Sequence, residues 1–387
     1  MNLNNILFSI YTGEYPNQFA GGPNNIIYKL IKNYDGTDFQ FDFLSSSLYH
    51  KSISRQTLDT VSNNLPQGKK ITSYLSENYS LYRRLFGSDF YLPFHFNKKS
   101  RYYGHFRKSI PKYDLINSHD SVSLALLADE TCSAKKVITV HSKGPLSDEY
   151  KNMASSERLQ NFINHKMTGY ERRSVELADT IIFPSKAAHK YFEDSLGINL
   201  SEKSVRVIYN GVDVNGIDEI ESDRSILDKY EIPFDKETLL LLNIAGHGLE
   251  KNIHILLQSI QRLIKKYNKK VFLVNIGEEG VTTRELRSLV SELKIDNSVK
   301  FLGKLDNTEV IRLLKVFDIF IMTSEKVIFD LVVLESLASG ICTVVSNIGG
   351  NNEIINDGEN GYLIDIDNPD EIAKKIISIN INEVREN

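Results

Sequence analysis

From Leu239 onward the chain repeats one pattern: a short apolar run, a turn, then a stretch with apolar residues at helical spacing. Leu239–Ile244, Val271–Ile276, Val299–Leu302, Phe317–Met322 and Thr343–Ser346 are strand-like runs with little polar alternation, as expected of strands buried on both faces. Between the first two, Asn252–Lys266 puts Ile253, Leu256, Leu257, Ile260 and Ile264 on one helical face. Thr282 with Glu285 forms a capping-box pattern before Leu286, Leu289, Val290 and Leu293, and Asp306 with Glu309 repeats it before Val310, Leu313 and Leu314. Leu331–Ser339 predicts another helix. Parallel strands need crossover connections, so this alternation predicts a parallel sheet covered on both faces.

The first half carries the same alternation less cleanly. Its predicted strands are Ile6–Tyr11, Phe39–Leu44, Leu115–Asn117, Lys136–Val140, Thr180–Phe183 and Ser204–Ile208, with one long helix over Ala154–Ala178. At 387 residues the chain has room for two domains. We place them at 1–213 and 214–387, with the acidic segment Asp213–Lys236, broken at Pro233, as the hinge region. The expected fold class is α/β: two Rossmann-like domains whose parallel strands point their carboxyl ends at a central cleft.

Composition excludes several classes. No apolar run approaches the roughly 18–20 residues of a membrane-spanning helix, and Ile6–Tyr11 is too short for a signal peptide. Two cysteines, Cys132 and Cys342, cannot build a disulfide framework. A cytoplasmic location is the simplest expectation. The net charge of −4 hides an asymmetry: residues 1–200 sum to +5 and the remainder to −9, and within the first part 51–112 sum to +9. The segment 97–112 mixes cations with aromatics, which suits an anionic membrane surface or an anionic acceptor. No nucleic-acid module accompanies it, so no nucleic-acid partner is expected.

Several loops at predicted strand ends have the residue types of a ligand site. Gly21 and Gly22 precede an apolar helix, where the backbone can approach an anion closely. A plain strand-to-helix turn is the alternative. The loop is not GxGxxG, which weakens a dehydrogenase reading. His119 and Asp120 end one strand and His141 ends the next; His119 could bond a sugar hydroxyl or act as a base, and Asp120 could simply cap a helix. Asn210-Gly211 is a turn between the halves. Gly246, His247 and Lys251 join a strand to a helix, where a lysine can neutralise a diphosphate. No Walker motif is present. In Ser324–Gly340, Glu335 interrupts an apolar helix. It could accept bonds from a ribose diol while the helix start at Phe329, Leu331 and Val332 faces phosphate, or it could be a surface glutamate. Asp365-Ile366-Asp367 reads as a loop before a helix, and no His/Cys cluster has zinc spacing, so no metal is expected.

Taken in order, these segments resemble the retaining glycosyltransferases of family 4, which have the GT-B fold. The likeness rests on Gly21-Gly22, Ser118-His119-Asp120, Ile208–Asp213, Lys251, Gly277–Gly280, Val299–Gly303 and Leu331–Gly340 followed by Gly349-Gly350, and it covers nearly the whole chain. The resemblance implies a hexosyltransferase. It would use a nucleotide-diphosphate sugar without metal or other cofactor and act on a cell-surface glycan or lipid-linked acceptor, with peripheral attachment to the membrane's inner face. It also implies donor contacts from Gly21, Gly22, Asn210, Gly246, His247, Lys251, Phe329, Leu331, Val332 and Glu335, with His119 near the transferred sugar and His119 and Lys251 as the catalytic pair.

Three features depart from the family pattern. Val327 stands where the family places the first glutamate of E-x7-E, and Glu325 is the nearby carboxylate that could compensate. Gly246 and His247 stand where an arginine is common. The chain also stops soon after Ile366–Ile377, where many relatives carry a longer C-terminal helix. Two alternatives stay open: a non-catalytic subunit that stabilises or targets an active partner, and a nucleotide-sugar epimerase of the same fold.

Overall fold

The computed structural model describes residues 5–11, 22–36, 38–45, 49–54, 100, 103–107, 113–142, 144–148 and 156–379. The chain forms two compact units, Met1–Tyr209 and Asn210–Asn387, each built on one sheet.

The first unit contains β1 (Asn5–Ile10), β2 (Gln40–Ser45), β3 (Tyr49–Ile53), β4 (Leu115–Ser118), β5 (Lys135–Thr139), β6 (Thr180–Phe183) and β7 (Val205–Val207). Their order is β3-β2-β1-β4-β5-β6-β7. All neighbours run parallel except β2 and β3. The antiparallel β3 is a departure from the all-parallel expectation. Its sequence, Tyr-His-Lys-Ser-Ile, lacks the apolar run of a buried strand because it lies at the sheet edge, where a lysine discourages further pairing. The long helix spans Glu157–Leu177; Ser156 caps it by accepting from the Leu159 amide, and Leu159, Ile163 and Met167 are buried along it.

The second unit contains β8 (Leu239–Ile244), β9 (Val271–Ile276), β10 (Val299–Gly303), β11 (Ile319–Met322), β12 (Cys342–Ser346) and β13 (Tyr362–Ile364), in the order β10-β9-β8-β11-β12-β13 and all parallel. Successive strand residues point to opposite faces. Leu240, Leu242, Val274, Phe320 and Val345 therefore join one core with Leu313, Leu314 and Val333. Leu241, Leu273, Ile319, Ile321 and Val344 join another with Leu256, Leu257, Ile260 and Val290. Both faces are covered, as the apolar runs require.

Three local features refine the expectations. Thr282 makes no capping bond to its helix; its hydroxyl donates instead to the His247 carbonyl at 3.0 Å. Asp306 does cap, accepting from the Glu309 amide at 2.9 Å. The segment Asp213–Lys236 folds into two short helices, Val214–Asp218 and Ser225–Lys229, and inserts Ile217, Ile226, Leu227 and Ile232 into the second unit's core. Its acidic residues mask this because the apolar ones are sparse, and only their placement on the inner side shows them to be core.

In both sheets the strand order reverses at one point: between β1 and β4 in the first, and between β8 and β11 in the second. The crevice outside the carboxyl ends at such a point is where open α/β sheets hold ligands. In the second unit, the loop leaving β8 crosses the turn that leaves β9. A Cβ on Gly277 would lie 2.0 Å from the Ala245 carbonyl oxygen, so only glycine fits there. Gly277→Ala should cost on the order of 2–4 kcal/mol, read as a fall in the thermal midpoint of the second unit. An unchanged midpoint would show that these two turns do not touch.

Candidate functional site

At the reversal point of the second sheet, the exits of β8 and β11 are tied together. Thr323 Oγ1 lies 3.0 Å from the Lys251 carbonyl oxygen and 3.2 Å from that of Asn252. The Glu325 amide donates to the Glu250 carbonyl at 2.9 Å, and Asn252 Nδ2 donates to Glu325 Oε2 at 3.3 Å. Asn252 holds a left-handed φ of 49°, which turns the chain from the Leu249–Lys251 loop into the Ile253–Lys265 helix. These bonds fix where Lys251 stands. Its Nζ lies 3.8 Å from Asp330 Oδ2, with both side chains about one-fifth exposed.

Asp330 begins the Leu331–Ala338 helix. Glu335 is half-buried on that helix and accepts from Asn307 Nδ2 at 3.2 Å. Leu331 and Val332 form the helix start and are half-buried, while Phe329 is buried. Glu325 is exposed beside this group. Val327 has no exposed surface and sits within the apolar core with Met322, Val333 and Val345. The position where the resemblance implies a sugar-binding carboxylate therefore holds a core side chain.

His247 has a different setting from the one expected. It is buried, with Nε2 2.8 Å from Asn275 Oδ1 and Nδ1 2.8 Å from Thr283 Oγ1. Asn275 Nδ2 donates to Asn243 Oδ1 and to the Ala245 carbonyl, and Asn243 Nδ2 donates to the Ile321 carbonyl. Carbonyls can only accept, so the order of donors is settled along the chain: Nε2 of His247 must carry the proton that Asn275 receives. Thr283 Oγ1 accepts from the Gly280 amide at 2.8 Å and shares a hydrogen bond with Nδ1. Both ring nitrogens are thus engaged within the unit. His247 holds the loop rather than offering a nitrogen to a ligand. Gly246 is close-packed, its Cβ position 3.4 Å from the Glu278 carbonyl oxygen. Asn210 is the first residue of the second unit. Asp365 folds onto its own loop, accepting from the Asp367 amide at 3.1 Å. Among the described residues no group of three or more His, Cys, Asp or Glu could hold a metal ion.

At the reversal point of the first sheet, Asp120 accepts from the amides of Tyr11, Val122 and Ser123 at 2.6, 2.7 and 2.6 Å. It staples the exit of β1 to that of β4, so its role is structural. Its neighbour His119 is buried. His119 Nδ1 lies 2.9 Å from His141 Nε2, and the other nitrogen, Nε2, has no hydrogen-bond partner. Burial first, then the adjacent His141, holds the His119 imidazolium far below its usual range. Burial lowers His141 to about 4. Both rings are neutral at pH 7, and His119 Nε2 is buried without a hydrogen-bond partner. Gly22 opens the first helix, Gly22–Lys32, and Gly21 lies outside the described residues. In the same helix Asn24 is buried with Oδ1 unpartnered.

Glu171 was not singled out in the sequence, where it is one acid among many on a polar helix. It is fully buried and accepts from Ser121 Oγ at 2.6 Å. Its second oxygen has no partner in bonding geometry, although Ser147 and the amides of Leu146 and Ser147 lie near enough to favour the charge. Burial prevails and raises the carboxyl to about 7. Of the basic segment 97–112, Ser100 and Tyr103–Arg107 are described. Tyr103 is buried and donates to the Ile10 carbonyl. Arg107 donates to the Ala128 carbonyl at 2.9 Å and lies 3.7 Å from Asp129. Among the described residues no helix is long and apolar enough to cross a membrane.

With this geometry in hand, comparison with known proteins is direct. Residues 20–215 match the model described as Glycosyltransferase Family 4, and residues 226–387 match Glycosyl transferases group 1. The chain belongs to glycosyltransferase family 4. Among its relatives is the N-acetyl-alpha-D-glucosaminyl L-malate synthase of Bacillus anthracis, 27% identical over 54% of this chain and 52% of that one. Another is the D-inositol 3-phosphate glycosyltransferase of Corynebacterium urealyticum, 26% identical over 66% and 61%. The matched segments thus span about half to two-thirds of these relatives' lengths. Anabaena HepE, solved in complex with UDP and glucose, aligns over 99% of this chain and 90% of its own with a TM-score of 0.64 at 19% identity. That likeness shows the GT-B fold.

Glu171 gives the family member a measurable pH dependence. The folded carboxyl keeps its proton to about 7, whereas its ordinary value is 4.5. Between those values the folded state binds more protons, so stability falls as pH rises through the window and levels off above it. Glu171→Gln keeps the acceptor for Ser121 and removes the titration. The variant should be more stable than wild type at pH 8 by on the order of 3 kcal/mol, and about equal at pH 4. Thermal unfolding at the two pH values reads this; parallel curves for the two proteins would refute the assignment.

Proposed function

We propose that this protein transfers a hexosyl group, with retention of anomeric configuration, from a nucleotide-diphosphate sugar to a glycan or lipid-linked acceptor. The observation that carries the reading is the meeting of Lys251, from the exit of β8, with the start of the Leu331–Ala338 helix, from the exit of β11, which also carries Glu335. A cation and a helix N-terminus at one reversal point suit a diphosphate. A half-buried carboxylate one turn further along suits a ribose diol. The UDP and glucose bound in HepE support a donor of this class.

In this reaction the bond between the sugar's anomeric carbon and the diphosphate breaks, and a bond from that carbon to an acceptor oxygen forms on the same face. The acceptor's proton passes to the departing phosphate. Lys251 and the helix dipole stabilise the charge that develops there, which is the main demand on the protein. The resemblance also assigns His119 to the transferred sugar. No metal is needed in this scheme.

A second reading, a non-catalytic subunit, is favoured by one observation: Val327 belongs to the core and offers nothing to a sugar. Titration calorimetry with a panel of nucleotide sugars separates the two. The enzyme reading predicts binding of one donor, weakened about 10- to 100-fold by Lys251→Ala and about tenfold by Glu335→Gln, on the usual scale for bonds to charged groups. A well-folded protein that binds no donor and co-purifies with an active transferase would establish the second reading.

We further propose peripheral attachment to the inner face of the membrane through 97–112. Co-sedimentation with vesicles containing phosphatidylserine should fall steeply between 0.05 and ~0.5 M salt. Equal binding to neutral vesicles would exclude this attachment.

A further inference from the structure

Asp330 stands at the N-cap of the Leu331–Ala338 helix, in extended backbone conformation with φ −77° and ψ 121°, yet its side chain makes no capping bond. An aspartate at this position ordinarily accepts from the amide two or three residues on. Here only the backbone carbonyl of Asp330 does so, receiving the Val333 amide at 3.1 Å. The carboxylate is turned instead toward Lys251, 3.8 Å away. The lysine's backbone is held by Thr323, so the pairing does not come from a loose loop settling onto the nearest acid.

The charge balance of the site follows. The one lysine assigned to the diphosphate already has a carboxylate beside it. An anion arriving at the helix start meets Asp330 as a like charge and competes with it for Lys251. When the anion leaves, Asp330 is in place to take the lysine back.

We infer that Asp330 is a resident counter-ion for Lys251, displaced by the donor's diphosphate and restored on its departure, so that it sets both donor affinity and release of the nucleoside diphosphate product. This rests on the donor-site reading above. It makes Asp330 a positioning residue that acts through Lys251, with no bond to the reacting atoms.

The test is a double-mutant cycle on the full chain. Binding of UDP, GDP, ADP, CDP and dTDP is measured by calorimetry for wild type, Asp330→Asn, Lys251→Ala and the double variant, taking the tightest ligand forward. Asp330→Asn should tighten binding about 5- to 10-fold and slow ligand release in stopped flow. In the Lys251→Ala background the gain should fall below about twofold. Added salt should weaken binding more steeply in Asp330→Asn than in wild type, because one negative charge beside the lysine has been removed. Binding unchanged or weakened in Asp330→Asn, with wild type still binding, overturns this inference and leaves the donor site standing. A gain undiminished without Lys251 also overturns it, since Asp330 would then act by its field alone. No binding of any nucleoside diphosphate by any of the four proteins overturns the donor-site reading and this inference together.

Discussion

A sheet whose strands are buried on both faces has few places for a polar side chain. In both units of this protein the flanks of the sheet are largely apolar, and many of the buried polar groups lie at the carboxyl edge, where the strand order reverses. Of the buried polar side-chain atoms left without a partner among the described residues, Asn24 Oδ1, His119 Nε2, Ser324 Oγ and Asn351 Oδ1 follow strands at that edge. Each unpaired atom has a cost unless something arrives to bond it. The concentration of such atoms at one edge is the physical content of calling it a site.

The exception proves instructive. Asn243 and Asn275 are the penultimate residues of β8 and β9, fully buried between the two faces, where polar side chains should be costly. They are tolerated because each polar side-chain atom in their chain has a partner, from the Ile321 carbonyl through His247 to the Gly280 amide. A fully bonded network of this kind fixes geometry that apolar packing would leave loose. It links three neighbouring strands to the loops that leave two of them. The glycine-rich loop between β8 and Lys251 therefore has a defined shape before any ligand binds, although glycine is the residue least able to hold one.

Much of the second unit was legible in the sequence because burial on both faces leaves a simple trace. Leu239–Ile244 and Val271–Ile276 read as strands to the residue, and the helix faces followed from their spacing. What escaped notice did so for physical reasons. Tyr49–Ile53 is an edge strand and needs no apolar run. The acidic stretch after Asp213 hides four core residues among charges. At the site, Lys251 and Glu335 could be picked out by type and position, but their partners could not. Asp330 looks like an ordinary N-cap, and only the structure shows it turned toward the lysine. His247 looked like a ligand contact, and the structure surrounds both of its nitrogens. Glu171 carried no signal at all, since burial is not written in the identity of a glutamate.

The packing of Asn210–Lys236 has a consequence for how such proteins can be recombined. The two family models meet within this stretch, leaving 216–225 to neither, which invites a cut there when units are exchanged between relatives. A cut at that seam would strip Ile217 from the core it fills and carry it away with the wrong half. A chimera joined after Tyr209 keeps each core whole, because the stretch belongs to the second unit in the same sense as any of its strands. The junction that evolution could shuffle without loss lies upstream of where sequence similarity alone would draw it.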